Sequence, residues 1–180
     1  MYEIRDREFY ELYRQYPRCV LDYVIIGDSG EYQGLEGHKK AVLFALSVIN
    51  ERIKQSGVRW SCDEGCMRAQ KESVPDFFAA PEKPYKKTLK DVALMDLPEE
   101  LKYWSAFLEP PHSTGYTLAD WEKINGVLFP YGREELEIYR WKEDFSDYFR
   151  AGREWWGAAM WSIWDPRMGR YVVIGASSTD

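Results

Sequence analysis

Trp155-Trp156-Gly157-Ala158-Ala159-Met160-Trp161-Ser162-Ile163-Trp164, followed by Asp165-Pro166-Arg167-Met168-Gly169 and then Arg170-Tyr171-Val172-Val173-Ile174-Gly175, reads as a β-hairpin. Both arms are rich in aromatic and β-branched residues, which fit a pleated surface, and Asp-Pro followed by Gly supplies turn chemistry between them. Strand alternation puts Trp155, Gly157, Ala159, Trp161 and Ile163 on one face of the first arm. Trp156, Ala158, Met160, Ser162 and Trp164 fall on the other. Neither face is polar, so the arm is expected to be an interior strand covered on both sides, or one with a side kept for a partner.

Upstream of the hairpin, Glu135–Trp141 has the alternation of a second strand, with Leu136, Ile138 and Arg140 on one face and Glu137, Tyr139 and Trp141 on the other. A short helix is expected over Asp144–Arg150, and Thr117 is a good N-cap for a helix running through Leu128. Tyr103–Leu108 reads as a strand, followed by a rigid loop, Glu109-Pro110-Pro111-His112-Ser113-Thr114-Gly115.

In the first half, Asp6–Tyr16 is amphipathic, with Phe9, Leu12, Tyr13 and Tyr16 on one stripe. Val20–Ile26 reads as a strand ended by Gly27-Asp28-Ser29-Gly30. His38–Lys54 is the strongest helical pattern, apolar well beyond a single stripe, with Gly57 where a C-terminal cap would fall. Residues 58–101 are the least regular, with a helix expected over Met67–Ser73 and a short strand over Val92–Met95.

These elements predict a single α+β domain over residues 1–180, with a mainly antiparallel or mixed sheet ending in the C-terminal hairpin. Helices are expected largely to one side, with His38–Lys54 as the central apolar cover. One core is expected to hold Val42, Leu46, Ile49, Trp161, Ile163, Val172 and Ile174 together.

Hydrophobic residues at 45% and charged residues at 30% describe an ordinary folded chain, whereas an aromatic content of 16%, with 8 Trp and 13 Tyr, is high. Eight indoles are difficult to bury in one small core, because each N–H also needs a partner. The net charge of −6, with no long Lys/Arg run, argues against nucleic-acid binding and is suited to a basic protein partner. The excess is confined to the later two thirds, since the first sixty residues balance nine basic against nine acidic side chains. The charged start Met1-Tyr2-Glu3-Ile4-Arg5-Asp6 has no apolar signal region, and no apolar run is long enough to span a membrane. Three cysteines, Cys19, Cys62 and Cys66, suit a reduced cytoplasm.

Chemistry-bearing motifs are sparse. Gly27-Asp28-Ser29 after an apolar strand resembles the nucleophile block of GDSL-type esterases over three residues. That resemblance would make Ser29 the attacking group. Gly30 stands where that family has Leu, and neither His38 nor His112 has an Asp three positions before it. Cys62-x-x-x-Cys66 lacks a second ligand pair at a recognisable spacing, so no metal is expected, and no cofactor motif is present. Glu109 and His112, with Tyr116 nearby, form the other catalytic candidate.

The leading expectation is therefore a protein-binding module, immunity- or antitoxin-like in character, with an acidic, aromatic-bearing surface. Its candidate residues are Trp156, Trp164, Tyr139, Tyr116, Glu137 and Asp165, at least one of the first three being substantially exposed beside acidic residues. The alternatives are a small hydrolase using Asp28 and Ser29 or the Glu109–His112 loop, and a small-molecule domain with an aromatic cleft.

Overall fold

The computed structural model describes residues 1–81, 100–111 and 114–178, with Trp155 described in its backbone only. The strand expected over Val92–Met95 lies outside the described residues, as does His112. The described strands are β1 (Tyr2–Glu3), β2 (Leu21–Gly27), β3 (Ala69–Glu72), β4 (Glu137–Trp141), β5 (Ala158–Asp165) and β6 (Arg170–Ser177). The helices are α1 (Arg7–Tyr13), α2 (Gly34–Arg52), α3 (Val74–Phe77), α4 (Tyr103–Leu108), α5 (Leu118–Leu128) and α6 (Arg150–Trp155). This is an α+β fold around one antiparallel sheet ordered β1-β2-β6-β5-β4-β3.

The hairpin β5–β6 occupies the centre of that sheet, with Trp161 opposite Ile174 and Ile163 opposite Val172. Its turn is held by Asp165, whose Oδ1 accepts from the backbone N–H groups of Arg167 (3.0 Å) and Met168 (3.1 Å). Gly169 closes it at φ 59°, in the left-handed region that a Cβ disfavours. The first arm is shorter than expected. Trp155 ends α6, and Gly157 at φ 128° separates that helix from a strand beginning at Ala158.

Two further elements differ from the sequence reading. Tyr103–Leu108 is helical, burying Tyr103, Ala106 and Phe107 at helical spacing. A six-residue aromatic run is too short for its periodicity to separate helix from strand. Within Met67–Ser73, residues 69–72 form strand β3, whose polar Ala-Gln-Lys-Glu is held by ladder bonds to β4 rather than by burial. The helix over Leu118–Leu128 has the expected cap: the Thr117 Oγ1 accepts from the Asp120 N–H (3.3 Å), and the Asp120 carboxylate accepts from the Thr117 N–H (2.8 Å).

Helices cover both faces of the sheet, so the core divides in two rather than forming the single core expected. On the first face, Trp161, Ile163, Val172 and Ile174 pack with Phe9 of α1, Phe77 of α3, Tyr103 of α4 and Trp121 of α5. On the second, Val42, Leu46 and Ile49 of α2 pack with Val24, Ile26, Met160 and Val173, beside Phe145, Tyr148 and Phe149. A hairpin apolar on both faces requires such double cover. Gly37 lets α2 approach β6, because a Cβ there would collide with the Tyr171 hydroxyl.

At the β1 edge, β1 pairs with only the end of β2. The outward carbonyls farther along β2 are capped by side chains: Tyr13 donates to the Leu21 oxygen (2.5 Å), and Arg52 donates to that of Tyr23 (2.9 Å). Among the described residues, no helix is long and apolar enough to cross a membrane.

Candidate functional site

Helix α2 lies over β2, β6 and β5, which leaves the β3–β4 corner of the second face without a helical roof. Alternation on β4 and the register Glu137↔Trp164 and Tyr139↔Ser162 bring Trp164, Tyr139 and Glu137 together at that corner. Lys71 of β3, opposite Tyr139, borders it. The loop before α2 folds Tyr32 over the corner, stacking its ring on Trp164 with centroids 4.9 Å apart and planes 10° apart. Trp164 packs on Tyr171 from its other neighbours (4.6 Å).

Beneath these rings a chain of polar groups runs into the interior. Trp141 Nε1 donates to Ser162 Oγ (2.8 Å), and Ser162 Oγ lies 2.9 Å from His38 Nδ1. His38 Nε2 is 3.2 Å from the Tyr32 hydroxyl, which donates to Glu137 Oε1. Lys71 Nζ donates to Glu137 Oε2 (2.8 Å). The indole N–H can only donate, so Ser162 Oγ accepts from Trp141, and with the Tyr32 proton committed to Glu137 the consistent arrangement has Ser162 donating to His38 Nδ1. The imidazole is then the neutral Nε2–H tautomer, donating toward Tyr32. In the opposite tautomer Ser162 would accept twice, and Nε2 would face a tyrosine whose proton already belongs to Glu137.

The electrostatics agree with that assignment. His38 is fully buried, and burial drives its pKa down from 6.5 to about 4 despite the nearby Glu137 carboxylate, 3.8 Å away. Burial raises Glu137, but Lys71 and Tyr32 outweigh it and hold the carboxyl below its usual range. Burial and then Glu137 push the Tyr32 hydroxyl well up. Serine, imidazole and carboxylate thus stand in one line, yet Ser162 is sealed from solvent and no acyl carbonyl can reach it. The chain orders the corner and presents aromatic faces, a carboxylate and an exposed ammonium.

Among the residues singled out by sequence, Trp164, Tyr139 and Glu137 converge here, each half-buried rather than substantially exposed. Asp165 is buried and caps the hairpin turn. Trp156, also half-buried, packs against the first-face core. Tyr116 lies on the first-face side too, accepting from the Arg18 N–H (2.9 Å) and packing edge-on to Tyr16. Asp28 accepts from Gly30 N–H (3.4 Å) and pairs with the Met1 amine (3.8 Å), while Ser29 is exposed beside it in the same turn. Glu109 caps the end of α4, on the opposite side of the sheet from the corner. Cys62 is exposed, Cys66 donates to Asp63 (3.3 Å), and both ring nitrogens of His38 face other partners. No group of three or more potential metal ligands occurs among the described residues.

Sequence reasoning missed Tyr32, Lys71, Ser162 and the role of His38. Their one available signal was a histidine and a serine at positions otherwise apolar, each of which demands a buried partner. Comparison with protein-family models, with curated proteins and with solved structures found no match.

Proposed function

We propose that the protein is a binding module that recognises a basic segment of another protein at the Tyr32–Trp164–Tyr139 corner. The observation that carries this reading is the position of Lys71. Its ammonium, on a side chain 61% exposed, bonds Glu137 and lies 5.8 Å from the centre of the Tyr139 ring. A carboxylate flanked by aromatic faces is a receptor for a lysine or arginine side chain, and here an exposed side chain of the protein itself occupies that position. A partner's cation can displace it without opening the core. The acidic residues Asp28, Glu31 and Glu36 flank Tyr32 in sequence and add to the attraction of a basic partner.

The test is co-purification from the source organism, comparing wild type with Tyr139→Ala and Glu137→Gln. A basic partner retained by wild type should bind about 2 kcal/mol more weakly to Tyr139→Ala if that ring is an anchor. Equal retention by both variants, with near-ultraviolet circular dichroism showing intact folds, would refute the reading.

A further inference from the structure

A broad concavity of about 1160 Å³ lies on the far side of α2 from the aromatic corner, between α1 and the end of α2. Its lining carries six cations, Arg5, Arg7, Arg14, Arg52, Lys54 and Arg59. Three carboxylates share that lining, and each is already engaged: Glu3 by Arg52 (2.6 Å) and Arg5 (3.4 Å), Glu11 by Arg7 (2.7 Å) and Glu51 by Lys54 (3.2 Å). Arg14 and Arg59, both exposed, have no ion pair among the described residues. The cleft therefore carries an excess of three positive charges in a chain whose net charge is −6.

The cleft is also organised. Arg52 is fixed by bonds to the Tyr23 carbonyl, Glu3 and the Tyr10 hydroxyl, with its guanidinium 5.7 Å from the Tyr10 ring centre. The floor is apolar: Phe44 and Val48, one helical turn apart on α2, are half-buried, and Val58 is 41% exposed. Cations come from both walls, Arg7 from α1 with Arg14 at its C-terminal cap, and Arg52 from α2 with Lys54 and Arg59 just beyond it. Charge dispersed along an apolar trough larger than the usual small-molecule cavity suits an extended ligand rather than one small anion.

We propose that this cleft is a second binding site, for an acidic peptide segment of a partner protein with apolar side chains seated on Phe44, Val48 and Val58. The capped carbonyls of Leu21 and Tyr23 leave no free acceptors there for strand addition. Recognition is thus through side chains, with arginine forks taking glutamate or aspartate carboxylates.

The test uses fluorescence anisotropy with a labelled synthetic peptide of alternating Glu and Leu, and a Lys/Leu peptide as control. Wild type should bind the acidic peptide, more weakly as salt rises, and Arg14→Glu/Arg59→Glu should weaken it by about tenfold or more, whereas any binding of the Lys/Leu peptide, which the aromatic corner takes, should not fall with that double substitution. Tyr139→Ala should leave binding of the acidic peptide unchanged, which separates it from the aromatic corner. No binding of the Glu/Leu peptide, indifference of that binding to the double substitution, an equal loss of Lys/Leu peptide binding in the double variant, or full displacement by inorganic phosphate would each overturn the proposal.

Discussion

The two faces of the sheet are made by the same strands, yet one is closed and the other is left open at a corner. On the first face, four helices bring Phe9, Phe77, Tyr103 and Trp121 into one core with Trp161, Ile163, Val172 and Ile174. On the second, α2 lies over β2, β6 and β5 beside the short helical turn Asp147–Phe149, and the polar chain from Trp141 to Lys71 lies at the margin of that cover. The extent of helical cover thus separates the two roles. Where the cover ends, buried hydrogen-bonding groups meet solvent-facing ones.

The comparison makes its strongest demand at Trp161, which is fully buried beneath Phe77 and Tyr103 and donates to Glu72 (3.1 Å). Trp161→Ala should cost about 3–5 kcal/mol in denaturant unfolding, by lost burial and a residual cavity. A loss under about 1 kcal/mol would mean that the first face is not a closed, well-packed layer.

Acid should distinguish the second face. His38 has a folded pKa of about 4 against 6.5 unfolded, so between those values the unfolded chain binds more protons and stability falls as pH falls. The contribution is intact above pH 6.5, and about 3 kcal/mol is lost by pH 4. Asp22 acts in the opposite direction, since burial raises its carboxyl. Glu137, held low, loses its stabilising contribution on acidification as well. The decisive quantity is therefore the difference in pH profile between wild type and His38→Gln. Parallel profiles would break the assignment of a buried neutral imidazole to this face.

The smallest effect sharpens the contrast between the corner's interior and its rim. Lys71→Ala removes an exposed ion pair and should cost less than about 1 kcal/mol. A larger loss in thermal unfolding would make Lys71 part of the scaffold instead of an occupant of the receptor position.

Much of the scaffold was readable in the sequence because its signals are local. Asp165, Pro166 and Gly169 specify the hairpin turn, the Thr117–Asp120 box specifies a helix start, and the apolar breadth of Val42–Ile49 marks a buried helix. Strand β3 was not readable, since Gln70, Lys71 and Glu72 are held by a neighbour 66 or more residues away in the chain and carry no hydrophobic alternation. The division of the core was hidden too, because periodicity names a buried face but not which element covers it. At the corner, Trp164, Tyr139 and Glu137 were legible as an unusual aromatic and acidic grouping. His38 and Ser162, 124 residues apart, become one feature only through tertiary packing.

The central place of β5 and β6 has a consequence for synthesis. β2 has only β1 and β6 as neighbours, and β4 only β3 and β5, so the hairpin is the keystone between two peripheral ribbons. Until residues 158–177 leave the ribosome, those ribbons stay apart, and two-stranded ribbons are marginal alone. The nascent chain must carry its aromatic surfaces uncovered until residues 158–177 have been made, the interval in which a chaperone has most to offer.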